Sequence, residues 1–113
     1  DTLTNFDHLP DDTLVLPAHG LPFYRLHPRL AYLRQHHDQR LAILEDYCAQ
    51  PTKVLSTLRV MFSRRLNDFE ALLGMSEAMS HLHYLMAQGR IIREANDDGV
   101  WLYQASSRRA DAA

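Results

Sequence analysis

Apolar residues recur at helical spacing over most of the chain and give way to β-favouring runs near both ends. Leu3, Phe6 and Leu9 stand three apart, a short helical stripe that needs a surface to cover it, and Pro10, Asp11 and Asp12 punctuate it. Residues 13–16 are β-favouring and apolar without clean alternation, the pattern of a strand covered on both faces. The prolines and Gly20 within residues 17–28 predict a connector without regular structure. Pro28 suits the first turn of a helix, and Leu30, Leu33, His37, Leu41, Leu44 and Cys48 then follow one helical face until Pro51. Thr52 is the expected N-cap of a second helix, with Leu55, Leu58, Met61 and Phe62 turned inward and Arg64 and Arg65 beyond its negative pole. A short helical turn over 68–73 is expected to break at Gly74. The third long helix, over 76–88, places Met75, Ala78, Met79, Leu82, Leu85 and Met86 inward, and Gly89 suits a left-handed cap. RIIRE and VWLYQ, two runs rich in β-branched and aromatic residues, flank an Asp-Asp-Gly turn and predict a hairpin. Residues 106–113 read as a disordered tail.

Three helices followed by a hairpin is the order of a winged helix, so the fold class is mainly α with a small β-hairpin. At 113 residues the chain holds one small core. Its 12 basic and 14 acidic residues give no overall pull toward phosphate or anionic lipid. No apolar run approaches the ~20 residues of a membrane span, so the expected location is cytoplasmic. Cys48, a lone cysteine on an apolar face, builds neither a disulfide framework nor a thiolate cluster and points to a reducing compartment. Its expected role is packing, and no residue is assigned a catalytic role.

The runs LPDDTLVLPAHG, LPFYRLHPRLAYLRQHHDQRLAIL and HLHYLMAQGRI resemble the C-terminal portion of metallo-β-lactamase-fold hydrolases that carry an appended winged-helix domain. In that family the last strand of the catalytic domain ends in a Pro-Gly-His-Gly turn, and a helix beginning Arg-Ile follows. Here the turn is Pro17, Ala18, His19 and Gly20, and the helix offers Arg29, Leu30, His36 and Arg40 at the matching spacing. Ala18 replaces a glycine, and His37 and Leu41 stand where an Arg and a Glu are common, which removes an ion pair expected there. The family's H-x-H-x-D-H motif does not occur in the chain. The resemblance therefore implies a portion of a longer enzyme: residues 1–24 a remnant of the catalytic domain with the last strand of its α/β fold, and 25–105 a winged-helix domain. It implies that His19 matches the last ligand of a two-zinc site completed only by the missing catalytic domain, with no zinc expected on the fragment alone. The implied parent hydrolyses a thioester, ester, lactone or phosphodiester by attack of metal-bound hydroxide.

Beyond His19, adjacent His36 and His37 point about 100° apart on a helix and cannot chelate one ion together, and His81 and His83 share that defect. His37 falls on the apolar stripe and reads as a packed histidine. His36 and Arg40, one turn apart, are candidates for the substrate side or the interface with the catalytic domain, as are Phe23 and Tyr24. The expected partners are the chain's own catalytic domain, the parent's small-molecule substrate and a second copy in a homo-oligomer. The alternative is a nucleic-acid-binding or regulator module, as winged helices often are. The outward positions of the third helix, Glu77, Ser80, His81, Tyr84 and Gln88, include no Lys or Arg, and Arg90, Arg93, Arg108 and Arg109 are scattered. Duplex DNA is therefore not the expected partner. Trp101 and Tyr103 share one strand face and are expected to pack on the helices.

Overall fold

The computed structural model describes residues 2–106. The tail residues 107–113, with Arg108 and Arg109, lie outside the described residues. Two compact units, Asp1–Gln39 and Arg40–Ala113, share the continuous helix α1 (Leu26–Tyr47).

In the first unit, Thr2–Phe6 forms a 3-10 turn rather than a longer helix. Arg34 ties it down by donating to the Leu3 carbonyl at 3.1 Å and pairing with Asp7. The strand expected over 13–16 is reduced to a single antiparallel bridge, Val15 to Phe23, with hydrogen bonds of 2.8 and 3.0 Å. A strand needs neighbours for its backbone groups, and here the neighbour is the chain's own return past Gly20. The start of α1, two residues earlier than Pro28 suggested, is fixed by a residue distant in sequence. Asp11 accepts from the Arg25 and Leu26 N–H groups at 3.1 and 3.4 Å through its carbonyl. Its carboxylate takes the His27 N–H at 2.8 Å. These contacts satisfy donors that a helix start leaves without partners. Arg25, at φ 67°, makes the turn into the helix.

The second unit has the three helices and two-stranded antiparallel hairpin that the sequence predicts, in that order: the rest of α1, α2 (Val54–Met61), α3 (Asp68–Ala87), β1 (Ile91–Ala95) and β2 (Trp101–Ala105). Thr52 does not cap α2. Lys53 holds that position without a side-chain bond, while Thr52 pairs by backbone with Tyr103 at 2.9 and 2.8 Å and turns its hydroxyl to the Gln50 carbonyl. This sets the phase of α2, so Val54, Thr57, Leu58 and Met61 face the core and Leu55, expected inward, is 64% exposed. Thr57 can be buried because its hydroxyl donates to the Val54 carbonyl at 2.6 Å.

Helix α3 absorbs the expected short turn and runs through Gly74 unbroken. It starts at a capping box, in which Asn67 Oδ1 accepts the Glu70 N–H at 2.8 Å and Glu70 accepts the Asn67 N–H at 3.2 Å. Gly74 is buried, and a Cβ there would stand 3.0 Å from the Phe62 ring and 3.3 Å from Leu58, so the glycine permits close helix packing rather than a break. Gly89, at φ 71°, ends the helix as expected. Its N–H reaches the Met86 carbonyl at 2.9 Å and the Arg90 N–H reaches Leu85 at 2.9 Å, the two bonds of a Schellman cap.

Leu41, Leu44, Leu58, Ala78, Leu82, Leu85, Ile91 and Tyr103 form the core with Cys48 and Met61. Tyr103 packs as expected, whereas Trp101, nearer the hairpin tip, stays 46% exposed under the Arg93 guanidinium, and Met79 lies outside the core at 39%. Burial pushes the Cys48 thiol up to about 11, against a hydrogen bond with Thr52 that lowers it. The unfolded thiol ionises in its ordinary range, so stability present at neutral pH is lost as pH rises from about 9 through about 11. Urea midpoints should fall over that interval, and Cys48→Ala should flatten the fall.

Candidate functional site

The Val15–Phe23 bridge closes a loop over 16–22, and this loop carries His19. Gly20, at φ 96°, follows it in a conformation that L residues rarely adopt, while a Cβ there would meet nothing within 4 Å. The glycine is therefore needed for backbone geometry and not for space. The bridge and Gly20 together hold the imidazole out from the chain, and His19 is exposed. It stands on a groove of about 750 Å³ within the first unit, lined mainly by apolar side chains such as Phe6, Leu14, Leu16 and Phe23. Leu16 is 72% and Leu21 85% exposed, an unusual load of bare leucine for one loop.

The other candidates fall in different places. Phe23, half-buried, shares the groove with His19. Tyr24 is 62% exposed and lines a separate depression with Asp11, Asp12 and Arg25. His36 is exposed on α1 and stacks on Tyr32 with ring centroids 6.2 Å apart and planes 8° apart. Arg29 also lies over Tyr32, its guanidinium 5.2 Å from the ring centroid. Arg29 lines the groove as well, and sequence spacing identified it only as a helix-start residue. Arg40 is held inside the second unit, donating to Glu77 Oε1 at 2.8 Å and lying 5.5 Å from the Phe62 ring centroid. One side of α1 thus regains an ion pair through a partner on α3, which no spacing rule within α1 could reveal.

Among the described residues no three His, Cys, Asp or Glu side chains gather as metal ligands. A zinc site takes three or four protein ligands, so His19 supplies at most one and the chain's own described residues do not make such a site. For a nucleic-acid interface the chemistry is also poor. Helix α3 carries Asp68, Glu70 and Glu77 and no Lys or Arg, Arg90 is held by Glu45 at 2.8 and 3.0 Å, and Arg93 covers Trp101.

Residues 41–106 match the family described as metallo-beta-lactamase-like, C-terminal domain. The chain is similar to the crystal structure of a beta-lactamase domain protein from Burkholderia ambifaria, with 38% identity and a TM-score of 0.88 over 93% of this chain and 32% of that one. It also shares its fold with a metallo-beta-lactamase family protein from Thermus thermophilus, at 22% identity and a TM-score of 0.74 over 93% of this chain and 31% of that one. The chain thus spans about a third of the length of these two proteins. No curated protein matches it. By the match over most of its second unit, the chain belongs to the metallo-β-lactamase-like C-terminal domain family.

Proposed function

We propose that this chain is the C-terminal part of a zinc-dependent hydrolase of the metallo-β-lactamase fold, in which residues 1–24 complete the catalytic domain and 25–105 form a winged-helix domain that shapes substrate access. The observation that carries this reading is the exposed His19, held on a bridged loop beside a groove of bare leucines. Such a loop suits an imidazole offered to a metal ion whose other ligands lie elsewhere in a longer polypeptide, and the leucines suit burial against that polypeptide. A bound zinc pair supplies a hydroxide nucleophile and Lewis acidity to hydrolases of this kind. The role of this chain's residues is positional. The Val15–Phe23 bridge and Gly20 fix where His19 points, and Phe23 gives the loop an apolar footing. His36, stacked on Tyr32, and Tyr24 are both exposed and are positioned to meet substrate or the catalytic domain, while Arg40, bonded to Glu77, braces the second unit. The substrate is a thioester, ester, lactone or phosphodiester.

In the full-length protein, His19→Ala should lower bound zinc from two ions per chain toward one, with hydrolysis lost in step. His36→Ala should leave zinc content unchanged and alter KM. Metal analysis of the purified variants decides the matter, and unchanged zinc in the His19 variant would overturn the reading.

A further inference from the structure

The groove of His19 has apolar walls and one permanent charge. Arg29, from the first turn of α1, is the one Lys, Arg, Asp or Glu among its described lining residues, and its side chain is exposed. Among the described residues this guanidinium enters no ion pair, whereas Arg34, further along α1, is tied to Asp7 and to the Leu3 carbonyl. The described acids before α1 are engaged elsewhere. Asp7 is held by Arg34, the Asp11 carboxylate takes the His27 N–H at 2.8 Å, and Asp12 lines the separate depression with Tyr24. Arg29 is nonetheless held in place. It lies 5.2 Å from the centroid of the Tyr32 ring, and Tyr32 is stacked in turn on His36. That contact holds the charge without using a hydrogen bond, so the N–H donors stay open to a partner.

We infer that Arg29 is the specificity-determining residue of this groove: it takes an oxyanion, carboxylate or phosphate, that the substrate carries apart from its scissile bond, while the apolar walls take the substrate's hydrocarbon. This rests on the reading of His19 as a metal ligand, which sets the scissile bond in the same groove. A volume of about 750 Å³ is that of a small-molecule site and leaves room for both parts. The physical reason is the cost of an unpaired charge. Once the loop leucines are buried against the preceding domain, water is scarce around the guanidinium, and its donors need a partner. An anionic substrate brings that partner, whereas an analogue without the anion leaves the donors unpaired. A site of this kind rejects such analogues far more strongly than it rejects a change in apolar bulk. This favours an ester or thioester that joins an apolar acyl part to a separate acidic group, and disfavours a neutral lactone.

The test uses the full-length protein with esters and thioesters that share one acyl chain and end the leaving group in a carboxylate, a phosphate or a neutral amide. kcat/KM should favour one of the two anions over the amide, and which one it favours tells carboxylate from phosphate. Arg29→Gln should cut that anion-over-amide ratio roughly 30-fold, chiefly through KM, with zinc content unchanged. Arg29→Lys should keep part of the ratio, since an ammonium retains the charge but not the fork. Calorimetric binding of the anion-bearing leaving group to the chelated protein gives a second readout, which Arg29→Gln should weaken at least roughly tenfold. No preference for an anion, or a ratio unmoved by Arg29→Gln, would overturn the proposal. So would equal losses on anionic and neutral substrates, which would show that Arg29 pairs with an acid of the preceding domain. Where no member of the series is turned over, the binding measurement decides alone, and binding indifferent to Arg29→Gln, or none, overturns it. The zinc reading fails separately, on unchanged zinc in the His19→Ala variant, whereas an Arg29→Gln protein that loses zinc would sink only the role of Arg29.

Discussion

Replacing Leu82 by alanine lowers folding stability by about 3 kcal/mol, as a leucine-to-alanine change does at a fully enclosed site. Leu82 is 0% exposed and stands in the core between residues that cannot follow it inward. Ala78, one turn earlier on α3, is already small, and Gly74, one turn earlier still, brings Phe62 and Leu58 as near as they can come. Collapse around the vacated volume is therefore limited, which puts the cost toward the middle of the usual range rather than its low end. For a small domain holding ~5–10 kcal/mol, this is a large share. The control is Leu55→Ala on α2. Helical spacing alone assigned Leu55 to the core, yet it is 64% exposed, so its loss should shift stability by no more than about 0.5 kcal/mol. Urea midpoints of the two variants, at equal denaturant slope, check the pair. Equal losses would mean that α2 turns Leu55 inward after all.

That contrast shows what spacing can and cannot deliver. It located α1, α2, the second half of α3 and the hairpin, because each repeats apolar residues at a local period that needs no knowledge of partners. It misphased α2 because two apolar sets, one through Leu55 and one through Val54, fit the same period, and the choice is made by the backbone pairing of Thr52 with Tyr103, 51 positions away. Gly74 looked like an interruption because glycine is a poor helix former. Its use is the space it leaves for Phe62, visible only once α2 and α3 meet. Residues 13–16 looked like a sheet strand for a sound reason, since their composition suits one, but composition cannot supply the neighbour. At the site, Pro17 and Gly20 marked a turn, and His19 was singled out by the resemblance of that turn to the family's Pro-Gly-His-Gly; that Gly20 is needed for a positive φ is seen only in the structure. The Asp11 cap of α1 and the Arg40–Glu77 pair were not legible, for both join residues far apart in sequence. Distance also hid Glu45 and Arg90, which no periodic pattern links.

Arg90→Met should cost about 3 kcal/mol, and the reason lies in which charge is left behind. Arg90 donates from Nε and Nη2 to the two oxygens of Glu45 at 2.8 and 3.0 Å, a bidentate pair that joins α1 to the residue that follows the α3 cap. The Glu45 residue is only 7% exposed, so removing the guanidinium leaves a carboxylate poorly placed to recover water. The reverse change is milder. The Arg90 side chain is 38% exposed against 10% for Glu45, so after Glu45→Leu the guanidinium can turn outward, and the expected loss is about 1 kcal/mol. The double variant should recover most of what Arg90→Met loses, because two apolar side chains in place of a well-bonded buried pair are often close to neutral. A double-mutant cycle on urea midpoints gives all three values. Similar costs for both single changes would show that the pair acts as an exposed salt bridge. A double variant as unstable as Arg90→Met alone would show that Glu45 and Arg90 hold α1 and the hairpin by geometry that apolar packing cannot replace.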